Sequence, residues 1–444
     1  MTQEQESLSQ VVLATACRSS KLLAERKGAQ MWESTVAMCE SRGILKGNLG
    51  TETLAMVVLL MNACQHEPGY ITTLRLYNVL ACEQLKIYFE NTPAKDWVDE
   101  QERSAYHVWI LTSLLAAKLG TIPPSEDEYL EICTPHSYQN DVTKSVALLD
   151  MSWEDLVQYA MDNGSENFKQ DCRNKTLDRE NLIMEQVFWH IALPHHIESA
   201  FIARAIASDL TCRSARRKPL SRDKISTIIS RLYFFELTIP FVIKNFARLP
   251  SSYKVFNPAF YMLFMKASFA YLTSVVHVTL TERLGEGSDW EECYGLSLRL
   301  AIDAGRYLAH TMNETMILGG GGGSYLAFTI LQDYIPTLVD ILIAAPVQEH
   351  PNGSDPQFQS HFPPFTLERK IEELGWIKDG LEDYKTSWDH AWIVQSISII
   401  EVAVLNLKSD RESQLPPVNV SINLNDILAG IGLPPWNANL AEFS

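Results

Sequence analysis

Apolar residues recur every three to four positions through most of this chain, and that period limits its fold more than any other feature. In "TTLRLYNVLACEQLKIYFE", Leu74, Tyr77, Leu80, Ala81, Leu85 and Tyr88 line one face of a helix. "SRDKISTIISRLYFFELTIPFVIKNF" repeats the pattern with Ile225, Ile228, Ile229 and Leu232. Pro240 is expected to kink or end that helix, because proline has no amide hydrogen to donate. "NPAFYMLFMKASFAYLTSVVHVTLTERLG" offers Asn257 as a cap, Pro258 at the first helical position and Gly285 as a stop. "SDWEECYGLSLRLAIDAGRYLAHTM" opens on a capping box, with Ser288 followed three residues later by Glu291. The expectation is an all-α protein, a large multi-helix array of about a dozen or more helices. No fixed-period self-similarity is present, so a regular solenoid is not expected.

Four segments depart from that period. "VNVSINLN" (Val418 to Asn425) alternates strictly, which predicts an extended C-terminal tail. Pro, Gly and Asn cluster near Pro123–Pro124 and across 346–365, which predicts long loops. The expected organisation is a helical body over 1–345, a C-terminal helical portion of the same body over 366–408, and a tail over 409–444. The run Gly319 to Ser324 interrupts "MILGGGGGSYLAF". Glycine loses most entropy on ordering, so the run is a linker, with a reach of roughly 13 Å.

Length and charge exclude several classes. A chain of 444 residues with 46% apolar side chains can build a large core. No apolar run approaches the ~20 residues of a membrane span, the longest being Leu54 to Met61. The polar start "MTQEQESLSQ" is unlike a secretory signal, so an intracellular protein without a membrane is expected. Eight cysteines lie singly with no C-x-x-C pair, which argues for small core residues rather than a zinc site. A net charge of −17 opposes binding to nucleic acid, whose affinity comes from neutralised phosphates.

Catalytic signatures are absent from the sequence. No G-x-S-x-G turn, Walker loop, H-E-x-x-H or G-x-G-x-x-G occurs. The nearest approach to an aspartate-rich metal motif is "PPSEDEYLE", where Glu126, Asp127, Glu128 and Glu131 follow two prolines as acidic residues at a helix start do. Catalytic, cofactor and metal residues are therefore expected to be none. His190, His195 and His196 in "VFWHIALPHHIES" read first as ordinary interior or surface histidines, with Pro194 interrupting the helix before the pair. Their second reading is as polar anchors in a small-molecule pocket. Core packing likewise comes first for the aromatic stretch from Tyr233 to Leu272, and a ligand cavity second. The ligand-binding candidates are His190, His195, Tyr233, Phe260 and Phe264. "RSARRKPLSRDK" sets Arg213, Arg216, Arg217, Lys218, Arg222 and Lys224 against Asp223 alone. It reads as a solvated interhelical loop, or else a nuclear-import signal or a phosphate contact.

Residues 50–135 carry a wider pattern. "GTETLAMVVLLMNACQ", "TTLRLYNVLACEQLKIYFE" and "DEQERSAYHVWILTSLLAAKLGTIPPSEDEYLEICTP" follow one another. This resembles the fungal-specific regulatory domain of Gal4-type zinc binuclear cluster transcription factors. Glu102, Arg103, Trp109, Gly120, Pro123, Asp127, Glu128 and Pro135 stand at the matching places. One Arg replaces the usual Arg run, one Trp the usual pair, and "TSLLAAK" stands where an Asp-Arg pair is common.

The resemblance implies an all-α, non-enzymatic sensor that controls transcriptional activation in the nucleus, with shuttling to the cytoplasm compatible. A small-molecule effector or a repressor protein would supply the signal. No cofactor is implied in this chain: the family's zinc cluster would lie before residue 1, and DNA would be reached only through that missing module. The glycine run would then be an engineered replacement for a long variable loop, or a natural tract. A coactivator would be met through the tail, where Ile427, Leu428, Ile431, Leu433 and Trp436 form a short amphipathic segment. Pairing as a homodimer is compatible with the family. Two other readings stay open: a helical adaptor that binds proteins, and an all-α enzyme with a buried cavity.

Overall fold

The computed structural model describes residues 3–19, 29–41, 56, 60, 70–91, 99–121, 151–164, 166–174, 179–246, 259–284, 290–317, 331, 333–347, 362, 364–385 and 391–413. Among them the protein is all-α. The helices are α1 (Gln3–Ser19), α2 (Ala29–Ser41), α3 (Tyr70–Asn91), α4 (Asp99–Leu119), α5 (Trp153–Asn163), α6 (Glu166–Asn174) and α7 (Arg179–Ile206). A π turn, Ala207–Thr211, extends α7 and leads to the single-turn α8 (Arg213–Arg216). There follow α9 (Arg222–Phe246), α10 (Ala259–Arg283), α11 (Glu291–Ile317), α12 (Ile335–Ala344), α13 (Leu367–Lys385) and α14 (Ala391–Ser413).

The periodic faces predicted for α3 and α9 are the faces that pack. Leu74, Tyr77, Ala81 and Leu85 are buried on α3, as are Ile225, Ile228, Ile229 and Leu232 on α9. Each such Leu or Ile side chain contributes about 1.5–3 kcal/mol on leaving water. Helix α10 is different, since every residue from Met265 to His277 is buried. A helix buried on all sides must sit at the centre of its bundle. It packs against α4, α7, α9 and α11, and Tyr271 Oη donates to the Leu114 carbonyl of α4 at 2.7 Å.

Neither proline ends its helix. Helix α7 continues through Pro194 and α9 through Pro240. Proline removes one amide donor and strains one turn. Both helices carry buried residues before and after the proline or along the same face, and that packing outweighs the local penalty. The predicted caps Asn257, Pro258 and Ser288, and the stop Gly285, lie outside the described residues, as do the tail and the glycine run.

Glycine is required at the end of α4. Gly120 has φ +59°, and a Cβ there would lie 2.5 Å from the Thr211 carbonyl oxygen. Only a residue without that atom lets α4 close on the π turn. Arg283, at the end of α10, donates to the carbonyls of Leu210, Ala215 and Lys218 and so fastens the same junction.

Helix α13 packs along α11 and α12, and α14 covers α12 and α13. Ile393, Ile397, Ile400 and Ala403 of α14 face inward, while Val394, Val402 and Leu405 are exposed. Among the described residues α14 is also long and apolar enough to cross a membrane, by length and composition.

Candidate functional site

Two buried charges on α11, Asp303 and Arg306, each anchor a layer, one turn apart. The first is an acid pair. Glu236 enters from α9 among buried Leu232, Phe235 and Ile239, and is itself 2% exposed. Asp303 faces it from α11, flanked by buried Leu300, Ala304 and Tyr307. The two carboxyls are hydrogen-bonded, which requires a proton on one of them. Burial, then the Asp303 charge and the shared hydrogen bond, push Glu236 up to about 9, while Arg299 acts in the opposite sense. At neutral pH the pair thus holds a proton. Oε1 of Glu236 has no hydrogen-bond partner among the described residues. Burial and then the neighbouring carboxyls also hold the Tyr307 phenol well above its ordinary value.

A ladder of rings passes beside this pair. His195 of α7 lies 6.3 Å from Phe235, which lies 6.5 Å from Phe269. Phe269 meets Tyr307 edge-on at 5.3 Å, and Tyr307 meets Phe362 at 4.6 Å. Four elements of the bundle therefore touch the acid pair or its immediate neighbours.

The second layer is an ion cluster. Arg306 Nε donates to Glu373 Oε2 at 3.0 Å and its second terminal nitrogen to Oε1 at 3.0 Å. Arg369 Nε reaches Oε1 at 3.1 Å, and His310 Nε2 lies 3.5 Å from the same oxygen. The Arg306 guanidinium is held over Phe362 at 4.5 Å and Phe365 at 4.8 Å. Burial pushes the Glu373 carboxyl up, but hydrogen bonds and charge from His310 and Arg306 outweigh it and keep it below the usual range. Beside this cluster, Lys370 Nζ donates to the carbonyls of Ile343 and Ala345 at 2.6 and 2.7 Å, capping α12. Burial lowers that amine to about 8.

The ligand candidates named from sequence are only partly gathered here. His195 is buried and joins the ring ladder; His196 is buried beside it. Tyr233 is half-buried on α9, one turn before Glu236. His190 lies within α7, and Phe260 and Phe264 within α10, but their side chains fall outside the described residues. Tail residues Ile427, Leu428, Ile431, Leu433 and Trp436 also lie outside them. Sequence reasoning missed Glu236, Asp303, Arg306 and Glu373. The first three had a signal: isolated charges inside apolar runs, one in "YFFELTIPF" and two in "LAIDAGRYLA".

The basic run is exposed, as expected of a solvated segment, but Arg213 to Arg216 form helical turn α8 rather than loop. Cys212 caps that turn, its Sγ accepting from the Ala215 amide at 3.4 Å. The cysteines at 39, 172, 212 and 293 are buried, and burial pushes the Cys82 thiol up to about 11. Among the described residues no three His, Cys, Asp or Glu side chains are grouped to hold a metal ion.

Of the residues carrying the family resemblance, Trp109 is buried against Phe201 and Arg204, and Gly120 makes the turn described above. Glu102 and Arg103 lie on α4 with undescribed side chains, and Pro123, Asp127, Glu128 and Pro135 lie outside the described residues. No family model, curated protein or solved structure matches this chain.

Proposed function

We propose that the chain is an effector-sensing regulatory domain of a fungal transcription factor, acting without catalysis in the nucleus. The observation that carries the reading is the acid pair Glu236–Asp303 at the centre of the helical body. Burying carboxyls costs stability, so a purely structural core has no need of them. A group that is neutral only by sharing a proton can change state when a cationic or hydrogen-bonding molecule arrives. The effector would then favour one arrangement of α9, α10 and α11 over another, and differential affinity would set the shift. The tail from residue 409 would deliver that shift to a coactivator, and DNA would be reached through a module outside this chain.

Native mass spectrometry of the purified chain, compared with the denatured mass, tests the reading. A retained small molecule that is lost in Glu236→Gln supports it. Retention that is identical in Glu236→Gln, or a clean apo mass after incubation with a fungal metabolite extract, overturns the role of this pair. A second reading, a helical protein adaptor, is favoured by one observation: Val394, Val402 and Leu405 present large apolar side chains on the outer face of α14.

A further inference from the structure

The basic corner between α8 and α9 has a use that effector sensing does not absorb. It lies on a chain of net charge −17, yet Arg213, Arg216, Arg217, Lys218, Arg222 and Lys224 fall within twelve positions, opposed by Asp223. All six are exposed. Lys224 pairs with Asp209, and Arg216 Nε donates to the Thr211 carbonyl at 3.0 Å. The side chains of Arg217 and Lys218 make no hydrogen bond or ion pair among the described residues. Ser221 stands in the same segment, exposed, immediately before α9, and its hydroxyl is likewise unbonded there.

We propose that Ser221 is a phosphoacceptor for a base-directed protein kinase. Residues 217 to 221 form an irregular connection, and Pro219 within it has no amide to commit to a helix. To enter an extended binding cleft, the stretch releases the Lys218 amide from the Ala215 carbonyl, the Lys218 carbonyl from Arg283, and Leu220 from its packing against the core. The preceding α8 is one turn long, and an isolated turn contributes little stability of its own. Arg217 and Lys218 lie four and three residues before Ser221, and Arg222 follows it. These are the charges an acidic kinase cleft would read, and they point outward already.

Ser214 provides an internal contrast. It is exposed too, but it lies within α8, and its Oγ is 3.1 Å from Cys212 Sγ. Arg213 immediately precedes it, and no basic residue stands three or four positions before it. In the reaction, Ser221 Oγ forms a bond to the γ-phosphorus of ATP while the bond from that phosphorus to the bridging oxygen breaks. ADP leaves, and the hydroxyl proton passes to the kinase. The product adds about −1.5 to −2 charges at neutral pH to the corner that holds Arg217 and Lys218. Phosphorylation would thus convert a cationic landing surface into one that is locally neutralised.

The test is incubation of the full chain with ATP and the catalytic subunit of a cyclic-nucleotide-dependent kinase, followed by peptide mapping. Ser221 is expected to carry the dominant phosphate, and Ser221→Ala to abolish it. Arg217→Ala/Lys218→Ala should slow incorporation by roughly tenfold or more, through lost charge-assisted contacts with the kinase. Arg213→Ala, outside the reading frame, should leave the rate unchanged. Because Arg217 and Lys218 are exposed and unbonded, that double variant keeps its fold even if Ser221→Ala weakens the start of α9. Dominant labelling at Ser214 or elsewhere overturns the proposal, as does no labelling, or a rate insensitive to Arg217 and Lys218.

Discussion

Asp303 and Arg306 stand three residues apart on α11, both almost fully buried, and they are compensated in opposite ways. Arg306 meets a carboxylate with two hydrogen bonds, two aromatic faces and a second arginine close by. Asp303 meets another acid, whose carboxyl is pushed up by burial and by the Asp303 charge while Arg299 acts in the opposite sense. The first arrangement is closed, since its charges satisfy one another inside the protein. The second is open to exchange, since its balance depends on something solution can supply or remove. A buried ion pair joins α13 to α11, and a buried acid pair joins α9 to α11.

The largest effect should come from breaking the closed layer from one side. Glu373→Gln leaves Arg306 buried without its counter-charge, and such single removals cost about 3–5 kcal/mol. Chemical denaturation should show that loss, with α13 and α14 the first elements to exchange amide hydrogens. Arg306→Met/Glu373→Leu removes both charges and should cost markedly less, because no ion is left stranded. A double variant as unstable as the single would mean that the cluster holds α13 by shape rather than by charge.

Sequence reading reached the class and the periodic faces, and it stopped where contacts between distant segments decide. The stripe Ile225, Ile228, Ile229 and Leu232 is legible because neighbours on a helix face are neighbours in sequence. Pairing Glu236 with Asp303, or Arg306 with Glu373, depends on which helix packs on which, and no local period encodes it. The prolines failed as stop signals for the same reason. Pro194 and Pro240 carry a local penalty, and the packing that offsets it lies on other helices. What local sequence did hold was the anomaly itself, a lone carboxylate in "YFFELTIPF", readable as a question but not as a partner.

The open layer should reveal itself through pH rather than through a single stability value. Glu236 binds its proton up to about pH 9 in the folded chain, whereas an unfolded glutamate releases it near 4.5. Between those values the folded state holds more protons, so this group's contribution is full below pH 4.5 and falls as pH rises through the window. The limiting slope is about 1.4 kcal/mol per pH unit for one proton. Lys370 acts with the opposite sign above pH 8, since its folded amine releases its proton there while the unfolded one holds it to 10.5. Comparing Glu236→Gln with the parent protein cancels Lys370 and isolates the acid pair. The variant should gain stability relative to the parent as pH rises from 5 to 8, measured by urea unfolding; a constant difference would show that the pair shares no proton.

The smallest effect belongs to the rim of the closed layer, and it separates charge from contact there. His310 Nε2 lies 3.5 Å from Glu373 Oε1, and the side chain is 23% exposed. Its ring also packs against Phe362 at 5.3 Å and Trp376 at 5.1 Å. Glu373 already receives Arg306 and Arg369, so the histidine adds little that those arginines do not provide. Partly exposed ion pairs contribute about 0–1 kcal/mol. His310→Gln should therefore cost no more than about 1 kcal/mol in urea unfolding, against the several lost in Glu373→Gln. A loss approaching that of Glu373→Gln would show that the arginines need the ring to hold the carboxylate in place. The contrast between the layers would then rest on aromatic packing around α13, and the closed layer would be only as firm as its exposed edge.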